Sequence, residues 1–237
     1  MKTYTLKEFY ALNEEIIEHW LDLAIYKPER NVPDKIPNKL DYSNNKNFRR
    51  FCLLRHLMRL SKLIDLSKSK KVLDIGAGFG DFLILSNNYN FEKIDATDPS
   101  IYQYKFITEK FNYYNNAYNL PLEEIDMSEY DTIILSGVWV PNWAMAIKQY
   151  ILPNKNLKNV FITTTLLHNT EYLILDAENI DPAPWKYDRE GNRKLISLKM
   201  MNLIFKSKNF YLKNSFFRKN DSKQRMTAKY YLHYLRD

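Results

Sequence analysis

Lys71-Val72-Leu73-Asp74-Ile75-Gly76-Ala77-Gly78-Phe79-Gly80-Asp81-Phe82-Leu83-Ile84-Leu85 is the stretch on which the reading of this 237-residue chain turns. Residues 71–75 read as a short buried strand, and residues 81–85 open a helix. The whole chain has five glycines, and Gly76, Gly78 and Gly80 all fall within this window. A sequence that otherwise avoids glycine places it where backbone must turn tightly or be approached closely. Strand, glycine-rich turn and helix together form the arrangement that brings a nucleotide-like ligand against backbone N–H groups.

The NAD fingerprint would read G-x-G-x-x-G. Here the third glycine comes one residue early, and Asp74 stands two residues before the first glycine. In both details the segment from Val72 to Gly80 resembles the first motif of class I methyltransferases that use S-adenosylmethionine. Residues 92–100 read as a second strand ending in an acid. Asp98 lies eighteen residues past Gly80, close to the roughly 20-residue spacing at which a carboxylate meets a ribose diol. Asp95 competes for that role, but Asp98-Pro99-Ser100 closes the strand as the family's strand end does. The run Asn115-Asn116-Ala117-Tyr118-Asn119-Leu120-Pro121 is similar to the family's third segment, with Asn116 where the family usually has Asp. Residues 130–137 read as the fourth strand, ending at Ser136 and Gly137. The resemblance implies S-adenosylmethionine as cofactor and S-adenosylhomocysteine as product. It places Asp74, Gly76, Ala77, Gly78, Gly80, Asp98, Pro99, Asn116, Ala117, Ser136 and Gly137 at the cofactor.

Working outward, residues 5–24 carry a helical apolar stripe of Leu6, Phe9, Tyr10, Ile16, Ile17, Trp20, Leu21 and Ala24. Thr5 with Glu8 is a capping-box signature. Residues 25–45 hold Pro28, Pro33 and Pro37 and read as a loop or lid. A second helix is expected over about 46–66, a fifth strand over 159–167 and a helix over about 194–207. Two strands, 211–218 and 226–235, end the sequence. The expected fold is α/β, a seven-stranded, mostly parallel sheet with helices on both faces. Its last two strands form a reversed hairpin at the edge, as the resemblance implies. The chain divides into a helical N-terminal extension or lid at 1–67 and a methyltransferase domain at 68–237. The resemblance does not explain residues 1–45.

Residues 168–193 are longer than ordinary connections between elements, and loops of that length are commonly functional. In the family's fold, the loops after strands four and five face the transferring methyl group. Trp139, Trp143 and Trp185 are therefore expected to line the acceptor, and His168, directly after strand five, is the candidate general base.

Composition narrows the classes. With 45% apolar and 27% charged residues the chain can bury a full core. A single cysteine, Cys52, excludes an internal disulfide framework and cysteine-rich metal or iron–sulfur sites. No metal is expected. No apolar run long enough to span a membrane occurs, and acids interrupt the first twenty residues, so a cytoplasmic protein is expected. The formal charge of +7 keeps nucleic acid open as a partner. Basic residues cluster at 46–71 and 206–229, whereas the acids of 171–190 would repel a phosphodiester backbone. After strand four, Ser136-Gly137-Val138-Trp139 occupies the place of the Asn-Pro-Pro-Tyr-type motif of base-amino methyltransferases. The reading is methyl transfer to a hydroxyl, or an amine, of a small polar metabolite such as a sugar-derived or phosphorylated one. The alternative is an RNA methyltransferase, and a third class is a binding module without turnover. Neither the acceptor nor the oligomeric state is legible.

Overall fold

Thr5 and Glu8 close a reciprocal capping box: Glu8 N donates to Thr5 Oγ1 at 3.2 Å and Thr5 N donates to Glu8 Oε2 at 2.7 Å. The box starts α1 (Leu6–Leu12). The single helix expected over 5–24 is in fact two, because Asn13 interrupts it with φ −129° and ψ 17°. Its side chain donates to the Phe9 carbonyl at 2.8 Å, the local competition with backbone bonding that makes Asn a poor helix-interior residue. The chain then continues as α2 (Glu14–Ile25). The computed structural model describes residues 5–25, 50, 53, 54, 57, 58, 66, 68–120, 122–136, 147–167, 197–219 and 227–236. Leu53, Leu54 and Leu57 of the second expected helix are helical and buried.

The remaining elements run β1 (Lys71–Ile75), α3 (Asp81–Ser86), β2 (Lys93–Thr97), α4 (Ile101–Lys105), β3 (Asn116–Tyr118), β4 (Thr132–Ser136), β5 (Asn159–Leu167), α5 (Leu198–Lys206), β6 (Phe210–Lys219) and β7 (Thr227–Arg236). Past its last residue, α4 widens into a π-helical turn over Phe106–Phe111. The seven strands form one sheet in the order β3-β2-β1-β4-β5-β7-β6. The first five are parallel to one another. β7 inserts antiparallel between β5 and β6, which makes the expected reversed hairpin, with a register shift between Leu212 and Asn214.

Both faces of the sheet are covered, so the central strands are apolar on both sides, as parallel strands require. On one face Val72, Ile134 and Phe161 pack with α3, with Phe106 and Phe111, and with Phe9, Ile17 and Leu21 of the N-terminal helices. On the other, Leu73, Ile133 and Ile162 pack with Ile147, Ile151 and the Met201 and Phe205 side of α5. Ser197 caps α5 by accepting from Met200 N at 3.2 Å. Strand order reverses at β1, whose neighbours are β2 on one side and β4 on the other. The crevice beyond the carboxyl ends of such strands is where open α/β sheets bind ligands.

Candidate functional site

The glycine-rich turn lies at that crevice. Gly76 N and Ala77 N both donate to the Thr97 carbonyl, at 2.8 and 3.1 Å, tying the end of β1 to the end of β2. Gly76, Gly78 and Gly80 have φ of 65°, 60° and 79°, left-handed backbone that favours glycine. At Gly80 space matters as well, since a Cβ would stand 2.9 Å from the Phe111 ring. At Gly78 the nearest atom to a Cβ is the Gln103 amide at 3.7 Å, so conformation rather than crowding selects glycine there.

Asp98 follows β2 and is bound into this turn. Its Oδ2 accepts from Gly78 N at 2.8 Å and its Oδ1 from Ser100 N at 2.9 Å. Only 3% of the residue is exposed. Burial pushes its carboxyl pKa up, opposed by the N–H groups of Ser100 and Gly78. Asn119 Nδ2 donates to the Asp98 carbonyl at 2.8 Å, and Ile101, three residues past Asp98, and Leu120, next to Asn119, are exposed apolar side chains.

Asp74 is the second carboxylate. It is 1% exposed, and one of its oxygens accepts from the Tyr114 hydroxyl at 2.7 Å. The other, Oδ1, has no hydrogen-bond partner among the described residues. Burial raises its pKa to about 7; the Tyr114 bond opposes the rise, and the negative charges of Asp81 and Asp98 add to it. Unpartnered buried oxygens are rare in folded proteins, and each calls for an explanation.

Ser136 ends β4, half-buried, with its Oγ 3.4 Å from Thr163 Oγ1 on β5. Pro99 is exposed beside Asp98. Asn116 is not brought to the crevice. It pairs in register with Asp95, while the carboxyl end of β3 is Tyr118, and its backbone N and Nδ2 donate to Asp95 Oδ1 at 3.0 and 3.1 Å. Ala117 packs against the core. Asp95, the competing acid, is wholly buried and takes further hydrogen bonds from the hydroxyls of Tyr130 and Tyr118 at 2.6 and 3.3 Å. Lys93 Nζ lies 2.9 Å from it. These bonds leave it no role at the turn. Gly137, Trp139, Trp143, His168 and Trp185, and with them the loop at 168–193, lie outside the described residues. Sequence reasoning missed Tyr114, Asn119 and Trp20, whose indole N–H donates to the Phe79 carbonyl at 2.7 Å.

No protein-family model matches the chain, and no curated protein matches it. Solved structures do. "StiE O-MT residues 942-1257" superposes with a TM-score of 0.58 at 15% identity, covering 94% of this chain and 90% of that one. The O-methyltransferase of a trans-AT PKS multienzyme of Brevibacillus brevis, in complex with S-adenosyl-L-homocysteine, gives a TM-score of 0.57 at 14% identity over 85% of this chain and 81% of that one. Magnesium protoporphyrin IX methyltransferase (ChlM) of Synechocystis PCC 6803, with bound SAM, gives 0.54 at 12% identity over 97% of each. The chain has the class I, Rossmann-like fold of S-adenosylmethionine-dependent methyltransferases. No described helix is long and apolar enough to cross a membrane.

Proposed function

We propose that this protein is an S-adenosylmethionine-dependent methyltransferase that methylates a hydroxyl, or an amine, of a small polar acceptor in the cytoplasm. One observation carries the cofactor part. The turn with three left-handed glycines and the Asp98 carboxylate bound to its Gly78 N–H lie at the strand-order reversal, and Asp74, one residue from the end of β1, holds a buried oxygen with no partner among the described residues. The donor set fits the cofactor. An ionised carboxylate offers about four acceptor positions; backbone takes two of those on Asp98, and the Gln103 amide nitrogen lies 3.0 and 3.3 Å from its two oxygens, so a ribose diol would take the place of that amide. Asp74 Oδ1 would accept from an ammonium group, and Ile101 and Leu120 offer apolar surface to a flat base.

When bound, S-adenosylmethionine supplies a methyl group on a sulfonium, already a strong electrophile. The chain's own residues then chiefly hold and align, and orientation can supply roughly 7–11 kcal/mol. Ser136, at the end of β4, and Gly137 after it in sequence are the residues assigned to the cofactor on that strand. The acceptor side falls to Trp139, Trp143 and Trp185 as walls, with His168 as base for a hydroxyl. Residues 1–67 form the extension and 68–237 the catalytic domain. Hydroxyl as first choice is supported by the two O-methyltransferases of the same fold, and small acceptor over RNA by the acids of the 168–193 loop.

Binding tests this directly. S-adenosylhomocysteine should raise the melting temperature, as any ligand preferring the native state does, and NAD should not. Asp98→Ala should weaken S-adenosylhomocysteine clearly, because ribose hydroxyls and the Gly78 and Ser100 N–H groups all lose their acceptor. Equal calorimetric affinity in that variant would move the ribose contact elsewhere.

A further inference from the structure

We propose that Trp20 is a positioning residue for the cofactor turn, so that the N-terminal helices are a working part of the binding site. This rests on the cofactor reading above and extends it to a segment that no motif explains. Phe79 sits between Gly78 and Gly80, with φ of 60° and 79°. Glycine takes either sign of φ with little preference, so local sterics do not select the plane of the Phe79–Gly80 peptide. A long-range contact does: the Trp20 indole N–H donates to the Phe79 carbonyl at 2.7 Å, across 59 residues of sequence. A short bond to a half-buried carbonyl is among the better-defined restraints a side chain can impose.

Within the sheet domain the turn is held by bonds from Gly76 N and Ala77 N to Thr97, from Gly78 N to Asp98 and from Gly80 N to the Ala77 carbonyl at 2.9 Å. Trp20 adds a hold from outside it. The neighbouring residue on α2, His19, stacks on Phe111 with ring centroids 6.2 Å apart, and Phe111 is the ring that crowds Gly80. At the far end of α3, Asn88 Nδ2 donates to Asn13 Oδ1 at 3.2 Å. The α1–α2 pair therefore grips the turn and the helix after it at both ends. Holding the Phe79–Gly80 peptide in one orientation pre-organises the turn that receives the cofactor, and pre-organisation lowers the cost of binding.

Trp20→Phe keeps an aromatic ring at the site and removes the donor together with the five-membered ring that carries it. Ile17→Val, fully buried in the same helix, trims packing alone and serves as the control. Trp20→Phe is expected to raise the S-adenosylhomocysteine Kd roughly three- to tenfold, the range for losing one neutral hydrogen bond. Ile17→Val should lower the melting temperature and leave Kd unchanged. In the wild-type chain, S-adenosylhomocysteine should slow amide exchange over residues 14–25 as well as 76–80, a reading that needs no variant to fold. Equal affinity of Trp20→Phe and wild type, or no added protection over 14–25, overturns the proposal while leaving the cofactor reading intact. Parallel loss of affinity in Trp20→Phe and Ile17→Val would reduce Trp20 to packing. A wild-type chain that does not bind S-adenosylhomocysteine overturns the cofactor reading, and this proposal with it.

Discussion

Acidification should weaken cofactor binding through one carboxyl group, Asp74. In the free protein its pKa stands at about 7, raised chiefly by burial. An ammonium at the open Oδ1 would favour the ionised form, so binding should return the pKa toward the ordinary carboxylate value and release a proton. Below neutrality the proton must leave before the ligand is held, and the apparent Kd grows with the factor 1 + 10^(pKa − pH). That factor is about 2 at pH 7, about 11 at pH 6 and about 100 at pH 5, so Kd should rise roughly fifty-fold between pH 7 and pH 5. Folding stability of the unliganded protein moves the other way. A pKa raised above the ordinary carboxyl value of 3.8 contributes stability that is full below that value and is lost as pH rises through about 7. Ligand-induced stabilisation should therefore grow from pH 5 to pH 7 while the unliganded protein weakens. Calorimetry in buffers of different ionisation enthalpy counts the proton released per S-adenosylhomocysteine bound. Asp98 is also raised by burial, so the decisive variant is Asp74→Asn, which should bind weakly with the pH slope gone. Tyr114→Phe removes the bond that lowers the Asp74 pKa and should move the midpoint upward. A flat profile in the wild type, or an undiminished slope in Asp74→Asn, would refute the reasoning.

Two further outcomes follow from the glycines and from the acceptor side. Gly80→Ala should cost about 2–5 kcal/mol in chemical denaturation, since it combines left-handed backbone with a Cβ at 2.9 Å from Phe111. Gly78→Ala meets strain without crowding and should cost less; the reverse order would contradict the packing of the turn. His168→Ala, if His168 is the base for a hydroxyl acceptor, should lower kcat by about 10²–10⁴-fold with S-adenosylhomocysteine affinity intact, and steady-state kinetics beside calorimetry separates the two.

The turn was legible because scarcity made it so: three of five glycines in one window leave few alternatives, and all three adopt positive φ. The strand ladder followed from its apolar runs, and the reversed hairpin from resemblance, since no periodicity distinguishes a parallel from an antiparallel last strand. The failures have local causes. Helical periodicity continues through Asn13, but the chain breaks there because its side chain takes the Phe9 carbonyl. Motif letters placed Asn116 at the cofactor, yet β3 has three residues and Asn116 is the first of them, so the carboxyl edge falls at Tyr118 and Asn119. Letter matching carries no register, and a strand this short leaves no room for error. Trp20 and Tyr114 reach their partners across 59 and 40 residues, distances at which sequence patterns are silent.

The two buried strand acids show what structure adds to such a reading. Asp95 and Asp74 both look like polar interruptions of apolar strands, and the sequence alone ranks neither as structural. Their surroundings do. Asp95 receives bonds from Tyr130, Tyr118 and Asn116 and has Lys93 Nζ 2.9 Å away, so its charge is answered within the fold. Asp74 has one donor, an unanswered oxygen and two further carboxylates adding to its burden. A buried carboxyl left short of partners weakens the free protein, and such perturbed groups gather at sites where a ligand completes the set. If a ligand completes the partners of Asp74, as proposed, affinity will follow its titration while Asp95 leaves affinity unmoved, so the pH dependence of ligand affinity, rather than of stability alone, is the measurement that separates them.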